Sequence, residues 1–277
     1  MIAVLADNAV KALLTYYGGK QKLVPTILPL IPPHSLYCEP FAGGAAILFA
    51  KEPSKIEVIN DTNGELINFY RVVKDEFPKL QKQIARTLHS RALHYKARFI
   101  YSQPHLFDPI ERAWAIFTMA HQSYSSILDS TWSCGVKDAT SEKKFQSKKA
   151  AFTKDYAKRL ERVQMECRNA LEVITTRDSK DAFFYVDPPY FNSDCGHYEG
   201  YSANDFEKLL KLLSTIKGTF LLSSYPSDLL RKYSQTHKWH TKVIETNLSV
   251  QGAKKNGRRK TEVLTANYPL NEVSHEK

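Results

Sequence analysis

Cysteine is scarce in this chain. Four are present in 277 residues (Cys38, Cys134, Cys167 and Cys195), widely spaced and without a C-x-x-C pair. That pattern argues against a disulfide framework and against a zinc cluster, and it suits a reducing compartment. The nine histidines show no metal-ligand spacing. His237 and His240 stand three apart but have no cysteine or carboxylate companion, so they read as surface residues and no metal is expected. No apolar stretch is long enough to span a bilayer. Met1–Ala6 reaches Asp7 without a basic leader, which speaks against a secretory signal and for a cytoplasmic protein without a membrane partner. Internal repeats and low-complexity tracts are missing as well.

What the chain does have is positive charge. Its 39 basic and 29 acidic residues give a formal net charge of +10 and a pI of about 9.3. Such a balance favours a polyanionic partner through counterion release and steering. Two local runs carry part of it. Lys143-Lys144 with Lys148-Lys149 reads as a solvated stretch. Lys254-Lys255 with Arg258-Arg259-Lys260, interleaved with Gly252, Asn256 and Gly257, reads as a basic loop able to fold onto phosphates.

The most informative segment is Phe183-Phe184-Tyr185-Val186 followed by Asp187-Pro188-Pro189-Tyr190. A run of β-formers meets a proline that cannot donate to a sheet ladder, so the strand stops near Asp187 and leaves its carboxylate at the carboxyl edge. In open α/β sheets that edge binds ligands. The diproline fixes the next carbonyls, and Tyr190 offers a flat ring. Together they suit a planar base bearing an exocyclic amine.

Other elements follow from local pattern. Tyr16-Tyr17-Gly18-Gly19-Lys20 forms a tight turn, and a short helix with Pro25 in its first turn follows. Ser35–Cys38 is a strand, Glu39–Ala46 a glycine-bearing turn, Ile47–Ala50 a buried helix and Ile56–Ile59 a second strand ending at Asp61. This is the first half of a nucleotide-binding βαβ unit, and Asp61 stands where a ribose-binding acid belongs. The turn is not G-x-G-x-x-G, so its ligand need not carry a pyrophosphate. Trp114–Met119 reads as a buried helix, and the polar stretch after it as a loop or hairpin carrying Tyr124 and Trp132. The spacing of Tyr156, Leu160, Val163 and Cys167 predicts a helix, and Leu171–Ile174 a strand. Ser202–Asp205 resembles a capping box opening a helix closed by Gly218. Thr219–Ser223, Val243-Ile244 and Val263–Ala266 are further strands. The alternation implies a largely parallel sheet covered on both faces.

The ordered set Tyr-Tyr-Gly-Gly-Lys (16–20), Glu-Pro-Phe-Ala-Gly-Gly (39–44), Asn-Asp (60–61), a long insertion and Asp-Pro-Pro-Tyr (187–190) resembles the Dam-type (class alpha) DNA adenine-N6 methyltransferases, from Tyr16 to about Tyr268. The resemblance implies a Rossmann-like S-adenosylmethionine-dependent methyltransferase sheet, in residues 1–65 and 151–277, with an inserted, mainly helical target-recognition domain in 66–150. It implies S-adenosylmethionine as cofactor, held by Tyr16, Lys20, Glu39, Pro40, Phe41, Gly43, Asp61 and Asp187. It also implies double-stranded DNA as partner, contacted by Tyr124, Trp132, Lys254, Lys255, Arg258, Arg259 and Lys260, and a bacterial or phage source. The insertion lacks an Asn-Arg-x-Gly segment, so a GATC target is not implied.

Asp187 and the Pro188 carbonyl would accept the two N6 hydrogens of a flipped adenine, with Tyr190 stacked on the ring. A serine at the first position of the tetrad would favour cytosine N4. Other readings are an RNA adenine methyltransferase and an inactive S-adenosylmethionine- or DNA-binding regulator. Cytosine-C5 chemistry needs a Pro-Cys pair, which is missing, so Cys195 reads as incidental. Ser223-Ser224 lacks the glycines of a nucleophile elbow.

Overall fold

The computed structural model describes residues 11–16, 18–134, 140–191, 201–247 and 259–270. Cys195 and the basic residues Lys254, Lys255 and Arg258 lie outside the described residues.

Seven strands form one sheet in the order β3-β2-β1-β4-β5-β7-β6. They are β1 (Leu36–Glu39), β2 (Ile56–Asn60), β3 (Val163–Glu166), β4 (Ala182–Val186), β5 (Thr219–Ser224), β6 (His240–Asn247) and β7 (Arg259–Ala266). The first five run parallel, while β7 pairs antiparallel with β5 and β6. β4 is buried along its whole length, as its continuous apolar sequence predicts for a central parallel strand.

Successive strand residues alternate between two cores. One face presents Tyr37, Ile59, Phe183, Tyr185, Leu221 and Leu264. The same cluster takes in residues of α1 (Val24–Ile27), α2 (Ala46–Ala50), α3 (Gly64–Asp75), α4 (Phe77–Arg86), α5 (Arg91–Ser102), α6 (Pro109–Gln122), α7 (Thr140–Ala150) and α8 (Lys154–Leu160). The other face presents Cys38, Val58, Phe184, Val186, Phe220 and Leu222 to α9 (Ala170–Arg177), α10 (Ala203–Leu213) and α11 (Asp228–His237). Helix starts are chemically marked. Asp108 and Glu111 form a capping box on α6, whose first residue is Pro109. Ser202 and Asp205 do the same on α10, as expected. The interior of α4 to α7, including Ile84, Ile100, Phe117 and Phe145, belongs to the same cluster as the first sheet face. Among the described residues no helix is long and apolar enough to cross a membrane.

Three expectations are corrected. The helix predicted through Tyr156, Leu160, Val163 and Cys167 ends at Leu160, and Val163 opens the edge strand β3 beside Glu57 of β2. The strand predicted at Leu171–Ile174 is helix α9: the Asn169 side chain accepts from Leu171 N at 2.9 Å, and Ala170, Val173 and Ile174 share its buried face. Here packing of β-branched residues on one helical stripe overrides their strand preference. Gly218 does not close α10, which ends at Leu213 with Ser214 as its cap. It immediately precedes β5 instead, where a Cβ would meet the carbonyl oxygens of Ala182 at 2.7 Å and Ser179 at 2.9 Å. Gly218→Ala should therefore force a backbone shift and cost about 1–3 kcal/mol, read as a lower urea midpoint with an unchanged slope.

Candidate active site

The parallel strands place three tips side by side. β1 ends in Glu39, β2 in Asn60 followed by Asp61, and β4 in Val186 followed by Asp187. The chain winds from β1 toward β2 on one side, while β4 and β5 lie on the other. The β1–β4 boundary is thus a topological switch point, where crossovers diverge and leave a crevice. A cavity of about 690 Å³ lies there, a size that suits a nucleoside-bearing ligand.

The turn after β1 forms one wall. Gly43 has φ +45°, and a Cβ on it would meet the Tyr16 ring at 3.3 Å. That conformation and approach explain glycine at this position. Asn60, fully buried, pins the turn: its amide donates to the carbonyls of Pro40 (2.9 Å) and Arg168 (3.0 Å), and its Oδ1 accepts from Arg168 N (2.9 Å). Tyr70 donates to the Gly43 carbonyl at 2.6 Å. Asp61 is held by two backbone donors, Gly43 N on Oδ2 and Asn63 N on Oδ1, each at 2.9 Å. Burial pushes its carboxyl above the usual range, and those two donors pull it back. Each oxygen keeps a lone pair for a further donor. Glu39 is buried, and its Oε1 accepts from Tyr37 OH at 2.6 Å and Leu48 N at 2.7 Å. Burial pushes its pKa up to about 7, against those two donors.

The opposite wall is the tip of β4. The Lys20 ammonium lies 2.8 Å from Asp187 Oδ1 and donates to the Gly18 carbonyl, also at 2.8 Å. Tyr190 donates to the same Oδ1 at 3.2 Å and shares a 3.2 Å contact with the Ser223 hydroxyl. Its ring lies 4.3 Å from that of Tyr225, and Lys20 sits 5.1 Å from its centroid. Burial raises the Asp187 carboxyl, while the charge of Lys20 and its hydrogen bond lower it. Burial works against the Lys20 ammonium too, but Asp187 and then Glu262 hold its pKa above the ordinary lysine value.

Tyr16, Lys20, Glu39, Pro40, Phe41, Gly43, Asp61 and Asp187 all line this one cavity, as do Pro188 and Tyr190. Tyr124 and Trp132 lie elsewhere, on a turn closed by an antiparallel bridge between Ser123 and Trp132. Tyr124 is 58% exposed. Trp132 is half-buried, with its indole 3.3 Å from Gln122 Oε1 and the Arg91 guanidinium 5.0 Å from its ring. Arg259 and Lys260 open β7. Sequence reasoning missed Lys11, Lys148, Asn169 and Tyr225, which also line the cavity. Lys148 stood out only as part of a basic run.

A model of the D12 class N6 adenine-specific DNA methyltransferases matches residues 16–250. The chain belongs to this family. It is 27% identical to the type II methyltransferase M1.LlaDCHI of Lactococcus lactis subsp. cremoris, over 91% of this chain and 93% of the relative. It is 22% identical to the DNA adenine methylase of Escherichia coli strain K12, over 95% and 97%. Among solved structures, a precorrin-6y C5,15-methyltransferase of Geobacter metallireducens GS-15 overlays with a TM-score of 0.38 at 10% identity, covering 96% of this chain and 95% of that one. The protein is thus an adenine-specific DNA methyltransferase, and its product is N6-methyladenine in DNA.

The Asn60 clamp carries a stability prediction. Asn60→Ala leaves the Pro40 and Arg168 carbonyls and Arg168 N without their partner. A loss of roughly 1–3 kcal/mol is expected for such buried groups, visible as a lower denaturant midpoint.

Proposed function

We infer that the switch-point cavity binds S-adenosylmethionine and a single everted adenine of duplex DNA, with Asp187, Pro188 and Tyr190 acting on the base. The observation that carries this reading is the convergence of the Asp61, glycine-turn and Asp-Pro-Pro-Tyr groups on one cavity. The donor set fits the cofactor. Asp61 keeps acceptor capacity on both oxygens for ribose hydroxyls, and the turn at Gly43 admits no side chain against Tyr16. When bound, S-adenosylmethionine supplies a methyl group activated by a sulfonium.

Adenine N6 is a poor nucleophile because its lone pair is delocalised into the ring. Lys20 and Tyr190 both engage Asp187 Oδ1, which leaves Oδ2 to accept one N6 hydrogen. The Pro188 carbonyl accepts the other, and the amine pyramidalises with its lone pair directed at the methyl carbon. Holding the reactants in this geometry accounts for several kcal/mol of the barrier. The base must leave the duplex to be gripped this way, and the Tyr190 ring is its stacking surface. The proton is lost only after transfer, so Asp187 acts first as an acceptor and needs to be ionised. Residues 66–150 form the target-recognition segment, which presents Tyr124 and Trp132 to DNA, and the basic residues Lys254 to Lys260 add phosphate contacts. The recognised word is set by that surface.

Asp187→Ala should abolish methylation while calorimetry still reports donor binding; methylation at the wild-type rate would refute the assignment. Asp61→Ala should weaken the donor about tenfold or more, as befits lost hydrogen bonds to a charged acceptor, and an unchanged dissociation constant would count against a ribose contact. The third expectation concerns pH. Asp187 accepts only when ionised, so the single-turnover rate is present above its pKa and lost as pH falls through it. Burial places that limb above the usual carboxylate range, and Lys20 opposes the shift. Lys20→Met should displace the limb to higher pH, and a limb that stays in place would sever the link between the two residues.

A further inference from the structure

One corner of the cavity carries cations that the roles above leave unused. Lys11 lies on the N-terminal strap and Lys148 on α7, and both line the cavity. The strap is fixed. Tyr156 donates to the Lys11 carbonyl at 2.9 Å, and Ala12 N donates to Gln21 at 2.6 Å. The His121 ring lies 3.2 Å from the Leu13 carbonyl and 3.3 Å from the Thr15 hydroxyl. Its far end meets the glycine turn, where a Cβ on Gly44 would lie 3.3 Å from the Leu14 carbonyl. The two lysines therefore stand on the side of the cavity that the glycine turn forms.

Among the described residues neither ammonium has a hydrogen bond or an ion pair. Lys20 is committed to Asp187, and Lys22 engages another group. Burial and then the charge of Lys11 push Lys148 below the ordinary lysine value. His121, beside it, is pushed down to about 3 by burial and by Lys148, and so stays neutral. An anion is what this corner lacks.

We propose that Lys148, with Lys11 beside it, seats the α-carboxylate of the methyl donor, so that a residue of the helical segment completes the donor site. This rests on the reading of the cavity as the S-adenosylmethionine site. The donor has one anionic group, and the other charged groups lining the cavity are the carboxylates of Glu39, Asp61, Asp187 and Asp205, Lys20, which is committed to Asp187, and Lys22, which engages another group. Of the anions this enzyme meets, a DNA phosphate is the competitor. Both lysines share one cavity with Asp61 and the glycine turn, and Lys148, unlike the exposed Lys11, is half-buried there, which favours a carboxylate of the cavity's own ligand. The carboxylate then ties α7 to the sheet, so donor binding also steadies the segment carrying Tyr124 and Trp132.

The test compares two ligands by calorimetry: S-adenosylmethionine, and decarboxylated S-adenosylmethionine, which lacks only that carboxylate. Lys148→Met keeps most of the aliphatic stem of a half-buried residue at the end of a helix. It should bind S-adenosylmethionine about tenfold more weakly, as expected for loss of a charge-assisted contact, and bind the decarboxylated ligand as the wild type does. Lys148→Arg should restore most of the affinity. Unchanged affinity for S-adenosylmethionine in Lys148→Met overturns the proposal. Equal weakening of both ligands assigns Lys148 a structural role and overturns it as well. Unchanged donor affinity with weaker DNA retention on filters makes the anion a phosphate. If the wild type binds neither ligand, the reading of the cavity itself falls and takes this proposal with it.

Discussion

At the tip of β4 a buried ammonium meets a carboxylate at 2.8 Å, and the proposed chemistry depends on that contact. Burial by itself drives Asp187 toward its protonated form, in which it would donate where the proposed mechanism needs an acceptor. Lys20 opposes that shift, and Asp187 and Glu262 in turn hold Lys20 charged. Neither partner is tolerable alone, since leaving one buried charge unpaired costs about 3–5 kcal/mol. The backbone that delivers Lys20 is correspondingly tight: a Cβ on Gly19 would lie 2.8 Å from the Tyr16 carbonyl oxygen. A short glycine turn thus positions the cation that opposes protonation of a residue 167 positions later in the chain.

The sheet gives this pair a fixed frame. Asn60 ties the tips of β1 and β2 to the start of α9. A second polar cluster fastens β2 from its other end. Glu57 receives Lys51 at 2.7 Å and Arg159 at 2.5 Å, and Arg159 also donates to the Leu48 carbonyl at 2.7 Å. Arg159 sits on α8, where the chain returns from the helical segment. The return point is thereby pinned to the strand that presents Asp61. Such buried charges add little net stability, but a misplaced return would strand them unpaired.

Much of the site was legible because its signals are local. Proline after Asp187 ends β4 by removing a donor, and glycines at 43 and 44 mark a turn whether or not its neighbours are known. The edge of the sheet was less readable. β3 has four residues and pairs on one side only, so its pattern merges with that of the preceding helix. In α9, Val173 and Ile174 have strand-like side chains but share a helical stripe. Those outcomes are set by which surface the segment meets, a non-local fact. Lys148 was hidden for the same reason. In sequence it is one more lysine in a solvated run, and only the packing of α7 brings it to the cavity.

The unbroken apolar interior linking Phe117 and Phe145 to Tyr37 and Phe183 bears on how such enzymes diversify. A module that reads a new DNA word is easiest to acquire by shuffling when it is joined through a wet, polar seam. Here the seam is a shared apolar cluster with only a few polar contacts such as Arg112 with Glu65, and a transplanted helical block would bring its own side-chain volumes into a lattice already filled from the sheet side. On the proposed reading of the exposed turn around Tyr124, new specificities are therefore reached more cheaply by rewriting that turn than by importing a foreign block.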